Sequence, residues 1–120
     1  MSRSIPSLAL VVEDDPLQRE FLCDLLRNEN IDVVQCESAE AAELVVARSG
    51  PELTLLVTDA ALAGRGTGIE LAQFAKRRFP GLNVILVSGQ DGLTLPENVR
   101  FFRKPFQPAE LLRAAMSAPL

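Results

Sequence analysis

The feature that most constrains this chain is a set of short, unbroken apolar runs, each cut off by a polar residue. Residues 8–12 read Leu-Ala-Leu-Val-Val and stop at Glu13-Asp14-Asp15-Pro16; residues 53–58 run directly into Asp59; Val84-Ile85-Leu86-Val87 stops at Ser88-Gly89. A strand with one wet face alternates apolar and polar residues. A run that does not alternate is covered on both faces, which is the habit of parallel sheets.

The segments between these runs carry helical spacing. Asp15 is a cap with Pro16 at the first helical position, and Leu17, Phe21, Leu22, Leu25 and Leu26 follow at helical intervals until the breaker Asn28–Asn30. Ile31 to Gln35 reads as a second, weaker strand. Ser38 then opens a helix with Ala39, Ala42, Leu44, Val45 and Val46 on or near its apolar face, which Ser49-Gly50-Pro51 stops. After Asp59, a glycine-rich stretch with Gly64, Gly66 and Gly68 leads into a helix bearing Ile69, Leu71, Ala72, Phe74 and Ala75, ending near Pro80-Gly81. Gly89 to Asn98, interrupted by Gly92 and Pro96, leaves room only for a short or irregular fourth helix. Val99 to Arg103 supplies a last strand, Lys104-Pro105 breaks it, and Pro108 starts a final helix through Leu111, Leu112, Ala115 and Met116.

Strands alternating with helices in this rhythm predict an α/β fold. Parallel strands need long crossovers, and those crossovers lay helices on both faces. The expected architecture is a flavodoxin-like, doubly wound, five-stranded parallel sheet of order 2-1-3-4-5, in which ligands bind outside the carboxyl ends of the strands. With 120 residues, 48% of them hydrophobic and 23% charged, one core and one domain over residues 1–120 are expected.

Composition removes several functions. There is no histidine, which excludes Ser-His-Asp and Cys-His nucleophile pairs, common zinc hydrolase sites and any role as a histidine phosphodonor. Cys23 and Cys36 show no CxxC spacing and fit a reducing compartment as unpaired side chains. A net charge of −4, with no Trp or Tyr to stack on bases, argues against direct nucleic-acid binding. The opening MSRSIPS lacks an apolar core of signal-peptide length and no run approaches a membrane span, so a cytoplasmic protein without membrane contact is expected.

Chemistry must then rest on carboxylates, hydroxyls and lysine. The residues that close the first, third, fourth and fifth runs are Glu13-Asp14, Asp59, Ser88 and Lys104. Carboxylates converging from different strands repel unless a cation lies between them, and hard oxygen ligands suit Mg²⁺. An ammonium and a hydroxyl facing the same point complement a phosphoryl oxygen. Taken singly, the acidic run could be a solvated helix start, Asp59 a turn cap and Lys104-Pro105 a surface loop; their order at the strand ends is what carries the reading. The glycines at 64, 66 and 68 lack the lysine of a Walker loop and dinucleotide spacing and read as a flexible loop, and Lys76-Arg77-Arg78 is most simply a solvated helix end.

Leu10-Val11-Val12-Glu13-Asp14-Asp15, Leu56-Val57-Thr58-Asp59, Val87-Ser88 and Lys104-Pro105-Phe106 resemble the ordered signatures of response-regulator receiver domains of bacterial two-component systems, over nearly the whole chain. The resemblance implies that Asp59 is a nucleophile accepting a phosphoryl group from a sensor histidine kinase or histidine phosphotransfer protein, giving an acyl phosphate. It implies Mg²⁺ held by Asp14, by Glu13 directly or through water, by a carboxylate oxygen of Asp59 and by the backbone carbonyl of Ala61. Ser88 and Lys104 would bond the phosphoryl oxygens, and Ser88 with Phe101 would form the switch toward a downstream protein partner. Such a domain catalyses only its own phosphorylation and dephosphorylation. The chain departs from the common pattern at Ala63, where many relatives have proline, at Gly89, and in its truncated fourth crossover, which resembles a subgroup of short receivers. An aspartyl-phosphate phosphatase would need a second acid two residues beyond the nucleophile, where Ala61 stands; a receiver-like module that is never phosphorylated is the third reading, against which the intact acidic pair, Ser88 and Lys104 speak.

Overall fold

Asp15 does start a helix. Its side chain accepts the Leu17 N–H at 3.1 Å with Pro16 in the first turn, and α1 (Pro16–Arg27) follows directly from β1 (Leu8–Val12). The computed structural model describes residues 8–62, 64 and 67–120, so the readings on the first seven residues, Ala63, Arg65 and Gly66 lie outside the described residues. Ser38 caps α2 (Ala39–Ser49) by accepting the Ala41 N–H at 3.1 Å. Thr67 and Glu70 cap α3 (Gly68–Arg78) reciprocally, each side chain accepting the other's backbone N–H at 3.1 Å. The remaining elements are β2 (Asp32–Cys36), β3 (Leu55–Asp59), β4 (Asn83–Ser88), β5 (Arg100–Arg103) and α4 (Pro108–Ala115).

The five strands form one sheet in the order β2-β1-β3-β4-β5, with every pairing parallel, as the alternating pattern predicts. Successive strand residues point to opposite faces, and on the central strands β1, β3 and β4 both faces are dry. Leu10, Val12, Leu56, Val84 and Leu86 pack with Ala39, Ala42 and Val46 of α2 and Leu71, Ala72 and Ala75 of α3. Ala9, Val11, Leu55, Val57, Ile85 and Val87 pack with Leu22, Cys23 and Leu26 of α1 and Leu111, Ala114 and Ala115 of α4. At roughly 1.5–3 kcal/mol for each fully buried Leu, Ile or Val, these two layers are what hold the strand ends in register.

Some boundaries differ from expectation. β2 begins at Asp32, because Ile31 is a core residue rather than a ladder residue. β3 begins at Leu55, because Gly50–Glu52 form a 3-10 turn and the Leu53 N–H bonds back to the carbonyls of Ser49 and Gly50. The β4–β5 crossover, residues 89–99, contains no helix at all; Pro96 sits inside it, and Gly92 (φ 72°) and Asn98 (φ 64°) take left-handed conformations incompatible with a continuing helix. Leu17 and Leu44 were placed by spacing on apolar faces, yet they are 79% and 65% exposed. At 100° per residue Leu44 stands nearly opposite Ala42 and Val46, and Leu17 lies far round the helix from Leu22 and Leu26.

Candidate functional site

Since the sheet is parallel, β1, β3, β4 and β5 end along one edge. Val12 is level with Thr58, so the next residues, Glu13 and Asp59, come side by side; Asp59 is level with Val87, and Ser88 with Arg103, one residue before Lys104. Ligand oxygens of Glu13, Asp14 and Asp59 all lie within 4.8 Å of one another. Glu13 is buried and Asp59 only 8% exposed.

Lys104 reaches into this acidic cluster from the end of β5. Its ammonium donates to Asp59 Oδ2 at 2.7 Å and to Glu13 Oε1 at 3.1 Å. The Lys104 N–H also donates to the Ser88 carbonyl at 2.9 Å, which ties the end of β5 to the end of β4, and the Lys104–Pro105 peptide is cis. The other Asp59 oxygen, Oδ1, accepts the Ala61 N–H at 3.0 Å, and Glu13 Oε2 accepts the Asp15 N–H at 3.1 Å. Both buried carboxylates are thus oriented from both sides. No buried side-chain nitrogen or oxygen among the described residues lacks a partner.

Burial pushes the Glu13 carboxyl up to about 7, opposed by the Asp15 N–H and reinforced by Asp59. Burial would lower Lys104, but the hydrogen bonds to Asp59 and then Glu13 raise it on balance above the usual amine value. Burial thus disfavours the ionised form of Glu13, while Lys104 stays an ammonium.

Gly68 makes this geometry possible. Its N–H donates to the Ala60 carbonyl at 3.0 Å, and a Cβ at this position would lie 1.7 Å from the Asp59 carbonyl oxygen. The start of α3 therefore rests directly on the backbone that presents Asp59, an approach only glycine allows.

The sequence model of the response regulator receiver domain matches residues 9–116. The chain belongs to the response regulator receiver domain family. A response regulator receiver protein of Anaeromyxobacter sp. (strain Fw109-5) is 36% identical over 104 residues, which is 86% of this chain but 42% of the relative's length. Among solved structures, a response regulator receiver protein from Sinorhizobium medicae superposes with a TM-score of 0.82 at 22% identity, over 91% of this chain and 90% of that chain. The CheX–CheY–BeF3–Mg²⁺ complex from Borrelia burgdorferi gives 0.82 at 19% identity, over 93% and 88%.

In this receiver domain the residues singled out from sequence do not all meet. Glu13, Asp14, Asp59 and Lys104 converge. Ser88 is buried at the end of β4, where its hydroxyl accepts the Gln90 N–H at 3.0 Å. Ala61 enters through its backbone, two residues past Asp59. Phe101 is half-buried against the α2/α3 layer, together with Leu93 and Val99 of the crossover. Two participants were missed in the sequence. Arg19 donates to the Glu13 carbonyl at 2.9 Å and to Gln35 at 3.0 Å, bracing the loop after β1. Gln18 accepts from Lys104 at 2.5 Å. Its spacing of three from the helix cap Asp15 was a readable sign of contact across the first turn. Between α1 and the Lys104–Phe106 turn lies a cleft of about 290 Å³, lined by Gln18, Phe21, Leu22, Lys104, Pro105 and Phe106.

Proposed function

We propose that this receiver domain is a phosphoacceptor of a two-component phosphorelay, taking a phosphoryl group on Asp59 from a sensor histidine kinase or histidine phosphotransfer protein with Mg²⁺, and relaying the change to a downstream protein partner. The observation that carries this reading is the Lys104 ammonium 2.7 Å from Asp59 Oδ2 beside three carboxylates whose oxygens lie within 4.8 Å of one another. An all-oxygen set with one ammonium against three acids is short of positive charge, and a hard divalent ion fits it. Asp14, Glu13, Asp59 and the Ala61 carbonyl would hold that ion, which when bound supplies charge to draw in the phosphoryl oxygens. The Borrelia burgdorferi complex contains Mg²⁺ and a partner protein on the same fold, which supports both assignments.

In the reaction an Asp59 carboxylate oxygen attacks phosphorus. The bond from phosphorus to the donor's nitrogen breaks, and its electron pair leaves with that nitrogen, which takes a proton. The product is an acyl phosphate. Lys104 turns an N–H toward the new oxygens, and the Ser88 hydroxyl, which has a donor to spare beyond its bond from Gln90, supplies a second. Water later attacks phosphorus, the bond from phosphorus to the Asp59 oxygen breaks, and inorganic phosphate leaves with the carboxylate restored. The added charge of about −1.5 to −2 biases the ends of β4 and β5 toward those oxygens, and Phe101, three residues before Lys104 on β5, carries the shift into the α2/α3 layer. The setting is cytoplasmic; no helix among the described residues is long and apolar enough to cross a membrane.

Incubation with phosphoramidate and Mg²⁺ followed by intact-mass measurement tests the proposal. One phosphoryl adduct is expected, absent in Asp59→Ala and in EDTA. No adduct under any donor condition, or an adduct that survives Asp59→Ala, overturns it.

A further inference from the structure

Lys104 has three N–H donors, and each has an acceptor: Asp59 Oδ2 at 2.7 Å, Glu13 Oε1 at 3.1 Å and Gln18 Oε1 at 2.5 Å. The first two belong to the acidic cluster. The third is a neutral amide on α1, outside that cluster. Its orientation is determined by its other end, because Gln18 Nε2 donates to Asp15 Oδ2 at 2.9 Å. An ionised carboxylate only accepts. The NH₂ of Gln18 must therefore face Asp15, which leaves its oxygen facing Lys104. Asp15 is held in turn, since its Oδ1 caps α1 by accepting the Leu17 N–H at 3.1 Å.

We propose that Gln18 is a positioning residue for phosphoryl acceptance at Asp59: its side-chain oxygen, aimed by Asp15, holds the Lys104 ammonium in place beside the acceptor carboxylate. The proposal rests on the phosphoacceptor reading above. A lysine stem is flexible and its ammonium is a mobile point charge. When the N–H on Asp59 turns to a phosphoryl oxygen, the bond to Gln18 remains and keeps the ammonium from swinging into solvent. A donor already in place costs no reorganisation as charge develops. Gln18 also lines the cleft beside Lys104.

The test is a double-mutant cycle on the phosphorylation rate with phosphoramidate and Mg²⁺, followed by intact mass. Gln18→Met keeps the length of the side chain and its helix propensity but removes the acceptor. The expected result is a slowing of about tenfold, equivalent to ~1.4 kcal/mol, with no further slowing when Gln18→Met is added to Lys104→Ala. Equal losses in the two backgrounds, or none in the wild-type background, overturn the proposal. A second readout does not need the reaction: the ¹H–¹⁵N resonance of the Lys104 ammonium in cold, metal-free protein. It should be sharp in wild type and broadened by solvent exchange in folded Gln18→Met, and an unchanged resonance overturns the proposal. If the wild-type chain takes no phosphoryl group, the phosphoacceptor reading fails instead, and the resonance still decides whether Gln18 holds Lys104.

Discussion

Gly68→Ala sets two physical effects against each other. Alanine is the better helix former by about 1 kcal/mol, so propensity alone predicts a more stable protein. The structure predicts the opposite sign, because the new methyl would lie 1.7 Å from the Asp59 carbonyl oxygen and 2.9 Å from Thr58 Oγ1. The first of these is backbone at the end of a buried strand and cannot turn aside as a side chain could. Reaching ordinary contact requires the start of α3 to lift by more than ~1 Å, which strains the bond from the Gly68 N–H to the Ala60 carbonyl. Overpacking of this kind costs about 3 kcal/mol, leaving a net loss of about 2 kcal/mol. With a urea slope of ~2 kcal/mol/M, the midpoint should fall by about 1 M. Far-UV circular dichroism is the suitable probe, because the chain has no Trp or Tyr. Because part of this strain falls on the backbone that presents Asp59, phosphorylation should slow as well, by on the order of 100-fold for a carboxylate shift near 1 Å. Gly81→Ala is the control, since nothing lies within 4 Å of its added methyl; it should stay within about 0.5 kcal/mol of wild type. A Gly68→Ala protein as stable as the control, or phosphorylated at the wild-type rate, would refute the reasoning.

Asn83 is buried at the start of β4, where its amide donates to the Ala114 carbonyl at 2.9 Å and its oxygen accepts from Arg100 at 2.8 Å. Asn83→Ala should cost about 2–4 kcal/mol in urea denaturation, and a loss under 1 kcal/mol would show that the end of α4 is held otherwise. Glu13 is raised from 4.5 to about 7, so the folded chain binds that proton more tightly than the unfolded chain. Its contribution to stability is full below pH 4.5 and lost as pH rises through about 7. In EDTA the melting temperature of wild type should therefore fall over that window, while Glu13→Gln stays flatter; parallel curves would contradict this. Burial raises both thiols, and Cys23 is 1% exposed while Cys36 is half-buried. Peptide mapping after brief maleimide treatment should find Cys36 modified before Cys23, both more slowly than free cysteine; rapid labelling of Cys23 would contradict the packing of α1.

The fold was legible because its two layers are written in local pattern. Unbroken apolar runs marked β1, β3 and β4, and Asp15-Pro16 and Ser38 marked the starts of α1 and α2. The site was legible for a related reason: in a parallel sheet, position along one strand predicts which residues of the next are level with it. Glu13, Asp59 and Lys104 could be placed on one edge from the ends of their runs alone. Spacing could not show which side of a helix finally turns inward, hence Leu17 and Leu44. Nor could it show contacts made only after folding. Gln18 meets Lys104 across 86 positions, and the role of Gly68 lies in the carbonyl it touches, with no signature in its own neighbourhood. The glycine-rich stretch suggested a flexible loop; at its last member the structure shows a tight contact instead.

The missing helix between β4 and β5 has a consequence for how quickly the molecule can change shape. A helix is a cooperative unit, and rearranging one means breaking its ladder or moving it as a rigid rod. Residues 89–99 have no such ladder, so they can adjust one torsion at a time, on the nanosecond-to-microsecond scale of loops. The stretch that follows Ser88 is thus the part of this protein able to respond gradually, and through Leu93 and Val99 it rests on the same layer as Phe101.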